Sequence, residues 1–356
     1  MVVSFSKIGL HVIANGVKAE ALATAPVLCL VDCSTEYIQE VRQHNPTAWI
    51  VVRWVFRGDQ GAALREPEKA AEAWFAEHKA AILATCGPRT VYQGLNEIGS
   101  GVSDLYLRYE TMRATLLWEH GVGFGLGAWS VGEPDWYVWP MFAPLIARMG
   151  AGDAILLHEY IADASDLEKR WYTARWTDER VAPMVAGHHL IITEWGRDVL
   201  IENNVRRGQA GWRGAVHADT MLMETARYND LLCQSPEVIG ACVFTGGVLG
   251  EWGAFDANVL WPRIVAGHKE GAAMDVGRLV WEAVRQHLIP LNPDAALERA
   301  AAARGLLPAS DEVRLQVGAE HLVAQGFRSP TERGKIKVAY CREGQWGAIA
   351  WMERDN

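Results

Sequence analysis

The sequence predicts an α/β protein, a (β/α)8 TIM barrel with a small C-terminal extension. Eight short, almost continuously apolar segments precede residue 247, and stretches with helical spacing lie between them. Such runs are typical of parallel strands that other elements cover on both faces. Eight β/α units are what one closed barrel needs. An open, doubly wound sheet is the alternative, but it would normally carry a glycine-rich turn after the first strand, and the segment HVIANGVKAE has a single glycine there.

In chain order, the predicted strands are residues 7–13, 26–32, 48–55, 90–96, 121–130, 154–160, 189–195 and 239–246. Helical spacing predicts helices over residues 66–86, 104–121, 217–234 and 276–289. Pro67 stands near the start of the first helix and Gly121 at the end of the second, where these residue types favour helix termini. We therefore expect residues 1–290 to form the barrel.

Residues 291–356 are too few for a robust core of their own, so we expect them to form a small α+β extension packed on the barrel. The alanine-rich segment 294–305 predicts a short helix. Residues 335–352 predict a β-hairpin that turns at Glu343 and Gly344.

The composition narrows the class of protein. Half of the 356 residues are hydrophobic and the net charge is −9, so no nucleic-acid partner is expected. No apolar run approaches the roughly 18 to 20 residues of a membrane-spanning helix, and the N-terminus lacks the pattern of a signal peptide. We therefore expect no membrane association and a cytoplasmic location, or secretion if a signal peptide has been removed. The six cysteines lack metal-type spacing, which predicts free thiols.

Polar side chains mark the carboxyl ends of the predicted strands, where barrel enzymes carry their catalytic groups. Glu97 follows the fourth strand and Glu194 ends the seventh. Strands three apart face each other across the mouth of an eight-stranded barrel, so we expect these two carboxylates to meet. Glycosidic-bond cleavage needs such a pair, with carboxyl groups about 5–5.5 Å apart in retaining enzymes and about 6.5–9.5 Å apart in inverting enzymes.

The motifs at these strand ends resemble those of clan A glycoside hydrolases. The segment LNE ends the fourth strand and HEY ends the sixth. In the segment TEWG, the first three residues end the seventh strand and the glycine follows it. The nearest likeness is to the cellulase-type family 5 pattern of Asn-Glu, His-x-Tyr and Glu. This resemblance implies that Glu97 is the acid/base, that Glu194 is the nucleophile and that Asn96 contacts the sugar 2-hydroxyl. It also implies that His158 and Tyr160 line the −1 subsite, with Tyr160 bonded to Glu194.

Two positions depart from that family pattern. Ile98 and Gly99 follow the Asn-Glu pair, where the family often has proline. Phe244 and Thr245 end the eighth strand, where the family usually has tryptophan. These departures keep open a carbohydrate-binding barrel with weak or no turnover.

Further residues are candidate substrate contacts. The 16 tryptophans are unusually many, and sugars stack on such flat rings. Trp129 ends the fifth strand, Trp136 lies in the loop after it, and Trp252 lies in the loop after the eighth strand, so these three are candidate platforms. His11 and Arg53 end the first and third strands and are candidate contacts at the same mouth.

A metal-dependent mechanism fits the sequence poorly. A barrel hydrolase of the amidohydrolase type would carry His-x-His on its first strand, but GLHVIA has one histidine. His188 and His189 begin a strand and so belong to the opposite end of the barrel. We therefore expect neither a metal nor a cofactor.

The leading hypothesis is a retaining glycoside hydrolase that cleaves β-linked bonds of an oligosaccharide or polysaccharide through Glu97 and Glu194. The carbohydrate-binding barrel is one alternative. The other is an unrelated barrel enzyme that uses the two glutamates for proton transfer, for which the glycines of FTGGVLGEWG are a partial phosphate-binding signal. The sequence determines neither the sugar and linkage nor the oligomeric state.

Overall fold

A closed barrel of parallel strands forms the larger unit of the computed structural model, which describes residues 5–202 and 205–270 and the backbone of six further strands between residues 312 and 353. The first ten strands in chain order are β1 (Ile8–Ile13), β2 (Val27–Val31), β3 (Trp49–Arg53), β4 (Thr90–Gln93), β5 (Gly123–Trp129), β6 (Ala154–Ile161), β7 (His189–Arg197), β8 (Leu200–Glu202), β9 (Val205–Arg207) and β10 (Val238–Gly247).

Eight of these strands close the barrel in the order β1, β10, β7, β6, β5, β4, β3, β2. Every neighbouring pair is parallel, including β1 with β10, which joins the last barrel strand to the first. The fold class and all eight predicted strands are thereby confirmed. The remaining two, β8 and β9, form an antiparallel hairpin in the loop after β7, which the sequence did not predict.

Helices lie between the barrel strands. Those of the described part are α1 (Thr35–His44), α2 (Gln60–Ala63), α3 (Pro67–Thr85), α4 (Ser103–Glu119), α5 (Trp139–Ile146), α6 (Ala182–Val185), α7 (Ala218–Cys233) and α8 (Trp261–Glu270). The predicted helices 66–86, 104–121 and 217–234 are confirmed as α3, α4 and α7. The predicted helices 276–289 and 294–305 lie outside the described residues. None of the helices in the described part is long and apolar enough to cross a bilayer.

Apolar side chains fill the inside of the barrel. Val27 and Cys29 on β2 pack there with Val51 of β3 and Val91 of β4, and all four are fully buried. Full burial of one such aliphatic side chain contributes about 1.5–3 kcal/mol. The strands approach so closely that a Cβ on Gly9 would lie 1.7 Å from the Val27 carbonyl oxygen. The interior is therefore a packed floor, and the polar side chains at the strand ends stand above it.

The C-terminal strands belong to a second compact unit, separate from Phe5–Lys269. They are β11 (Glu312–Val317), β12 (Glu320–Gln325), β13 (Lys335–Val338), β14 (Cys341–Arg342), β15 (Gln345–Trp346) and β16 (Ala350–Glu353). Antiparallel pairing of β13 with β16 and of β14 with β15 confirms the predicted hairpin around Glu343 and Gly344. A second antiparallel pair, β11 with β12, was not predicted. The domain boundary at residue 290 stays a prediction, because residues 271–311 lie outside the described part.

Candidate active site

The carboxyl ends of β4, β6 and β7 bring three ionisable side chains together. Glu97 follows β4, His158 lies on β6 and Glu194 lies on β7. The His158 Nδ1 atom is 3.0 Å from Oε1 of Glu97 and 3.4 Å from Oε2 of Glu194. One carboxylate oxygen of Glu97 lies within 4.8 Å of one carboxylate oxygen of Glu194. The two carboxylates therefore meet at one point in the mouth of the barrel, as the strand order predicts.

Donors hold both oxygens of Glu194. The Tyr160 hydroxyl donates to Oε2 at 2.8 Å, and the Arg53 guanidinium donates to Oε1 at 3.1 Å. Because the Glu194 side chain is only 9% exposed, these contacts replace most of its water. A guanidinium and a phenol in these positions stabilise the charged carboxylate. Burial and the neighbouring Glu194 charge raise the pKa of Tyr160 well above its ordinary value, so the phenol keeps its proton.

Glu97 is the more open of the two glutamates, with 44% of its side chain exposed. Its backbone has a φ of 56°, in the left-handed region that costs a non-glycine residue about 1–2 kcal/mol. Burial of the carboxyl group raises its pKa, but the hydrogen bond from His158 and the attraction of His158 and Arg53 outweigh this effect. The net pKa of Glu97 is therefore below its ordinary value, and the free protein carries an ionised Glu97 at neutral pH.

A β-bulge turns Glu194 into the barrel. Ile191 points inward on β7, so strict alternation would point Thr193 inward and Glu194 outward to the helices. However, β7 gains one residue relative to β6 just before Glu194, which then pairs with His158. The extra residue reverses the alternation, and both side chains share the inner face.

His11 lies inside β1, two residues before the end of the strand, and is buried beside Glu194. Its Nδ1 atom is 2.7 Å from the Thr245 hydroxyl, and its Nε2 atom is 3.8 Å from Oε1 of Glu194. Burial lowers the pKa of His11 to about 3 despite the attraction of Glu194, so the ring is neutral at physiological pH. Within the described part of the chain Nε2 has no hydrogen-bond partner. This atom is itself buried, so His11 presents no open polar atom to the mouth of the barrel.

Asn96 is held by two glutamines that the sequence analysis missed. Gln60 accepts the Asn96 backbone N–H at 2.8 Å, and the Gln93 side-chain amide donates to Asn96 Oδ1 at 2.8 Å. Gln93 is fully buried at the end of β4, and a polar residue at an inward-facing strand position was the available signal. The contact with Gln60 depends on the tertiary fold and had no such signal.

The prediction that Trp129 is a sugar platform is wrong. Its side chain is 1% exposed and packs against Tyr106, Trp139 and Phe142. The pairing of β5 with β6 is irregular between Gly127 and Trp129, and Gly127 has a φ of 96°. This bulge turns the Trp129 ring away from the mouth and into the layer of α4 and α5.

The other two predicted platforms differ in what they offer a ligand. The guanidinium groups of two arginines lie over the Trp136 ring, 4.3 and 4.2 Å from its centroid, so the protein itself engages that ring. Trp252 is 40% exposed and contacts Phe244 edge to face at 5.4 Å between centroids. Phe244 in turn lies 4.7 Å from the His11 ring. Trp252 therefore has an exposed ring that also contacts the site, through Phe244 and His11.

The same three side chains, Glu97, His158 and Glu194, are the set at this mouth that could hold a metal ion. To bind a metal through Nδ1, His158 would have to carry its proton on Nε2. That buried atom has no acceptor among the described residues, whereas metal-bound histidines normally donate from the second nitrogen. The Arg53 guanidinium, 3.1 Å from Glu194, would also repel a cation. The arrangement fits a proton-transfer pair better than a metal centre.

Comparison with known proteins gives faint similarities. No family model matches the sequence, and no curated protein matches it. Among solved structures, an FMN-binding beta-glucuronidase from Facaelibacterium prausnitzii matches with 11% identity and a TM-score of 0.40, over 68% of this chain and only 38% of that chain. Xylanase 10B from Thermotoga maritima matches with 14% identity and a TM-score of 0.44, over 75% of this chain and 95% of that chain.

A glucosidase from Croceicoccus marinus is similar at the same level. It shares 9% identity, with a TM-score of 0.44 over 100% of this chain and 81% of that chain. Values this small carry no argument about activity, and the assignment of the fold rests on the closed barrel itself.

Proposed function

We propose that this protein is a retaining glycoside hydrolase that cleaves β-linked glycosidic bonds by double displacement. Glu194 is the nucleophile and Glu97 the acid/base. The observation that carries the proposal is the meeting of the two carboxylates, with an oxygen of one within 4.8 Å of an oxygen of the other. Retaining enzymes hold their carboxyl groups about 5–5.5 Å apart and inverting ones about 6.5–9.5 Å apart, and an approach of two oxygens to within 4.8 Å favours the closer arrangement.

The environment of Glu194 suits a nucleophile. An attacking carboxylate must be ionised, and Arg53 and Tyr160 both donate to its oxygens. In the first step Glu194 forms an ester with the anomeric carbon while the bond to the leaving oxygen breaks. Glu194 has no negative charge in this ester. In the second step water hydrolyses the ester, which releases the sugar and restores the charged carboxylate.

The environment of Glu97 suits a group that both gives and takes a proton. Because its pKa in the free protein is below the ordinary value, Glu97 is ionised there, and this is the state that the second step needs when Glu97 removes a proton from the attacking water. In the first step it must donate to the leaving oxygen. A bound sugar would cover the exposed part of its side chain, and this desolvation favours the protonated carboxyl.

The substrate is a β-linked oligosaccharide or polysaccharide. Asn96 is a half-buried polar side chain next to Glu97 that can bond to sugar hydroxyls. Trp252 supplies an exposed aromatic surface at the same mouth, the kind of surface on which a sugar ring stacks. His158 lies between the two glutamates and bonds to Glu97.

Azide rescue tests the two roles separately. With 2,4-dinitrophenyl β-glycosides, Glu97→Ala should slow turnover by about 10²–10⁴-fold, the usual contribution of a general acid or base, and Glu194→Gly should slow it at least as much because no glycosyl-enzyme ester can form. Azide should restore turnover of Glu97→Ala and yield a β-glycosyl azide, because it attacks the glycosyl-enzyme ester from the opposite face. Azide added to Glu194→Gly should occupy the place of the nucleophile and yield an α-glycosyl azide.

The identity of the azide products decides the assignment. An α-product from Glu97→Ala together with a β-product from Glu194→Gly would reverse the two roles. A wild-type protein that turns over no β-glycoside, while still binding sugars, would contradict the enzymatic proposal as a whole.

A further inference from the structure

One carboxylate fastens the segment that carries Glu97 to the neighbouring loop. Ser100, three residues after Glu97, donates its backbone N–H to Oε2 of Glu133 at 3.2 Å, and its hydroxyl donates to the same oxygen. The Ser100 Oγ atom in turn accepts the backbone N–H of Asp135 at 2.8 Å. Three hydrogen bonds therefore join the loop after β4 to the loop after β5.

The position of Glu97 depends on restraints of this kind. Its left-handed backbone is intrinsically unfavourable, so contacts on both sides must hold it. On the N-terminal side, its own N–H donates to the Ala128 carbonyl at 2.9 Å. On the C-terminal side, Ser100 is bonded to Glu133, and a Cβ built on Gly99 would lie 4.0 Å from the other oxygen of the same carboxylate.

We propose that Glu133 is a positioning residue, which acts through Ser100 to hold the carboxyl group of Glu97 at the leaving-group oxygen. This inference rests on the proposed function of Glu97 as the proton donor. A misplacement of a catalytic group by about 1 Å can cost on the order of 100-fold in rate, so loosening this loop should weaken proton donation. Glu133 itself does not touch the reacting atoms.

The geometry provides a matched pair of variants. Both hydrogen bonds from Ser100 end on the same oxygen of Glu133, so the single amide oxygen of a glutamine can accept both. Glu133→Gln therefore keeps the tether and removes the charge, whereas Glu133→Ala removes both. A difference between the two variants reports on the tether alone.

The test measures kcat/KM for β-glycosides with a poor leaving group (phenyl) and a good one (2,4-dinitrophenyl). Proton donation matters for the first and hardly at all for the second. Glu133→Ala should lose about 10–100-fold on the phenyl glycoside and about 3-fold or less on the dinitrophenyl glycoside. Glu133→Gln should recover most of the loss. If Glu133→Ala does not fold, Ser100→Ala takes its place, because it keeps the carboxylate but removes the hydroxyl. It should lower kcat/KM for the phenyl glycoside more than for the dinitrophenyl glycoside.

Glu97→Gln serves as the reference that separates this inference from the proposed function. Suppose that the loss of kcat/KM in Glu97→Gln is much larger for the phenyl glycoside, but that Glu133→Ala slows both substrates equally. Glu133 is then merely structural, and the inference is overturned. If Glu97→Gln shows no dependence on the leaving group, the acid role of Glu97 fails and the inference fails with it. An equal loss of kcat/KM in Glu133→Gln and Glu133→Ala would show that the charge of Glu133 causes the effect. This result would also overturn the inference that its hydrogen bonds to Ser100 position Glu97.

Discussion

His158 is the residue that contacts both glutamates. Its Nδ1 atom faces both carboxylates, and its hydrogen bond to Glu97 is the leading contact that lowers the pKa of that group. His158→Phe removes the donor and fills the space, so the pKa of Glu97 should rise. Since the first step requires a protonated Glu97, the basic limb of the kcat/KM profile should move to higher pH, measured with a poor leaving group.

A matched histidine controls for the general effect of such a substitution. His188 stands just before β7, at the opposite end of the barrel, so His188→Phe should leave the pH profile where it is. A basic limb that stays fixed or moves to lower pH in His158→Phe would show that His158 does not set the pKa of Glu97.

Single residues also show where prediction from the sequence stops. Motif order placed Glu97, Glu194, His158 and Tyr160 at one mouth, and the structure brings them together. The direction of Trp129 was mispredicted, because the bulge that turns it arises from the pairing of β5 with β6. The same kind of bulge points Glu194 inward against the alternation of its own strand, so a strand-by-strand pattern does not contain this information.

Among the elements, β6 carries one buried carboxyl group, that of Glu159, on its outer face. Glu159 accepts the backbone N–H groups of Ala174 and Arg175 at 3.0 and 3.3 Å and the hydroxyl of Tyr228 on α7. It therefore ties β6 both to the loop that follows it and to α7. Burial outweighs these three donors and raises the pKa of Glu159 to about 7.

This pKa predicts a pH-dependent stability. The folded state binds a proton that the unfolded state releases between its ordinary pKa, near 4.5, and about 7, so stability falls with rising pH across this window and is constant above it. Relative to Glu159→Gln, the wild-type free energy of unfolding should fall by about 3 kcal/mol between pH 5 and pH 8. Urea unfolding of both proteins at the two pH values measures this. Parallel changes would mean that Glu159 does not titrate in this range.

The elements that were predicted are those whose pattern is local. All eight barrel strands lie in short, mostly apolar runs, and α3 and α7 have regular helical spacing. In α5, by contrast, Pro140 and Pro144 interrupt the helical pattern, and the helix forms because Trp139 and Phe142 are buried against the barrel. The hairpin of β8 and β9 consists of two three-residue strands, too short to stand out from a loop.

In the molecule as a whole, the closed barrel keeps its apolar packing and its ionisable side chains in different places. The apolar side chains inside the barrel form the floor, and the ionisable side chains meet above it at the carboxyl ends of the strands. Curvature of the closed sheet turns the ends of β4 and β7, which are three strands apart, toward one mouth and brings together side chains 97 positions apart in the sequence. In the proposed function, Glu97 and Glu194 act together on one glycosidic bond with retention of configuration.

The most direct measurement is the anomeric configuration of the first-formed product, followed by ¹H NMR during hydrolysis of β-linked glycosides and polysaccharides. Double displacement predicts that the β-anomer appears first and then mutarotates, and that Glu97→Gln and Glu194→Gln both abolish its formation from substrates with poor leaving groups. An α-anomer as the first product would contradict the role of Glu194 as nucleophile, and full turnover by either variant would contradict the pair.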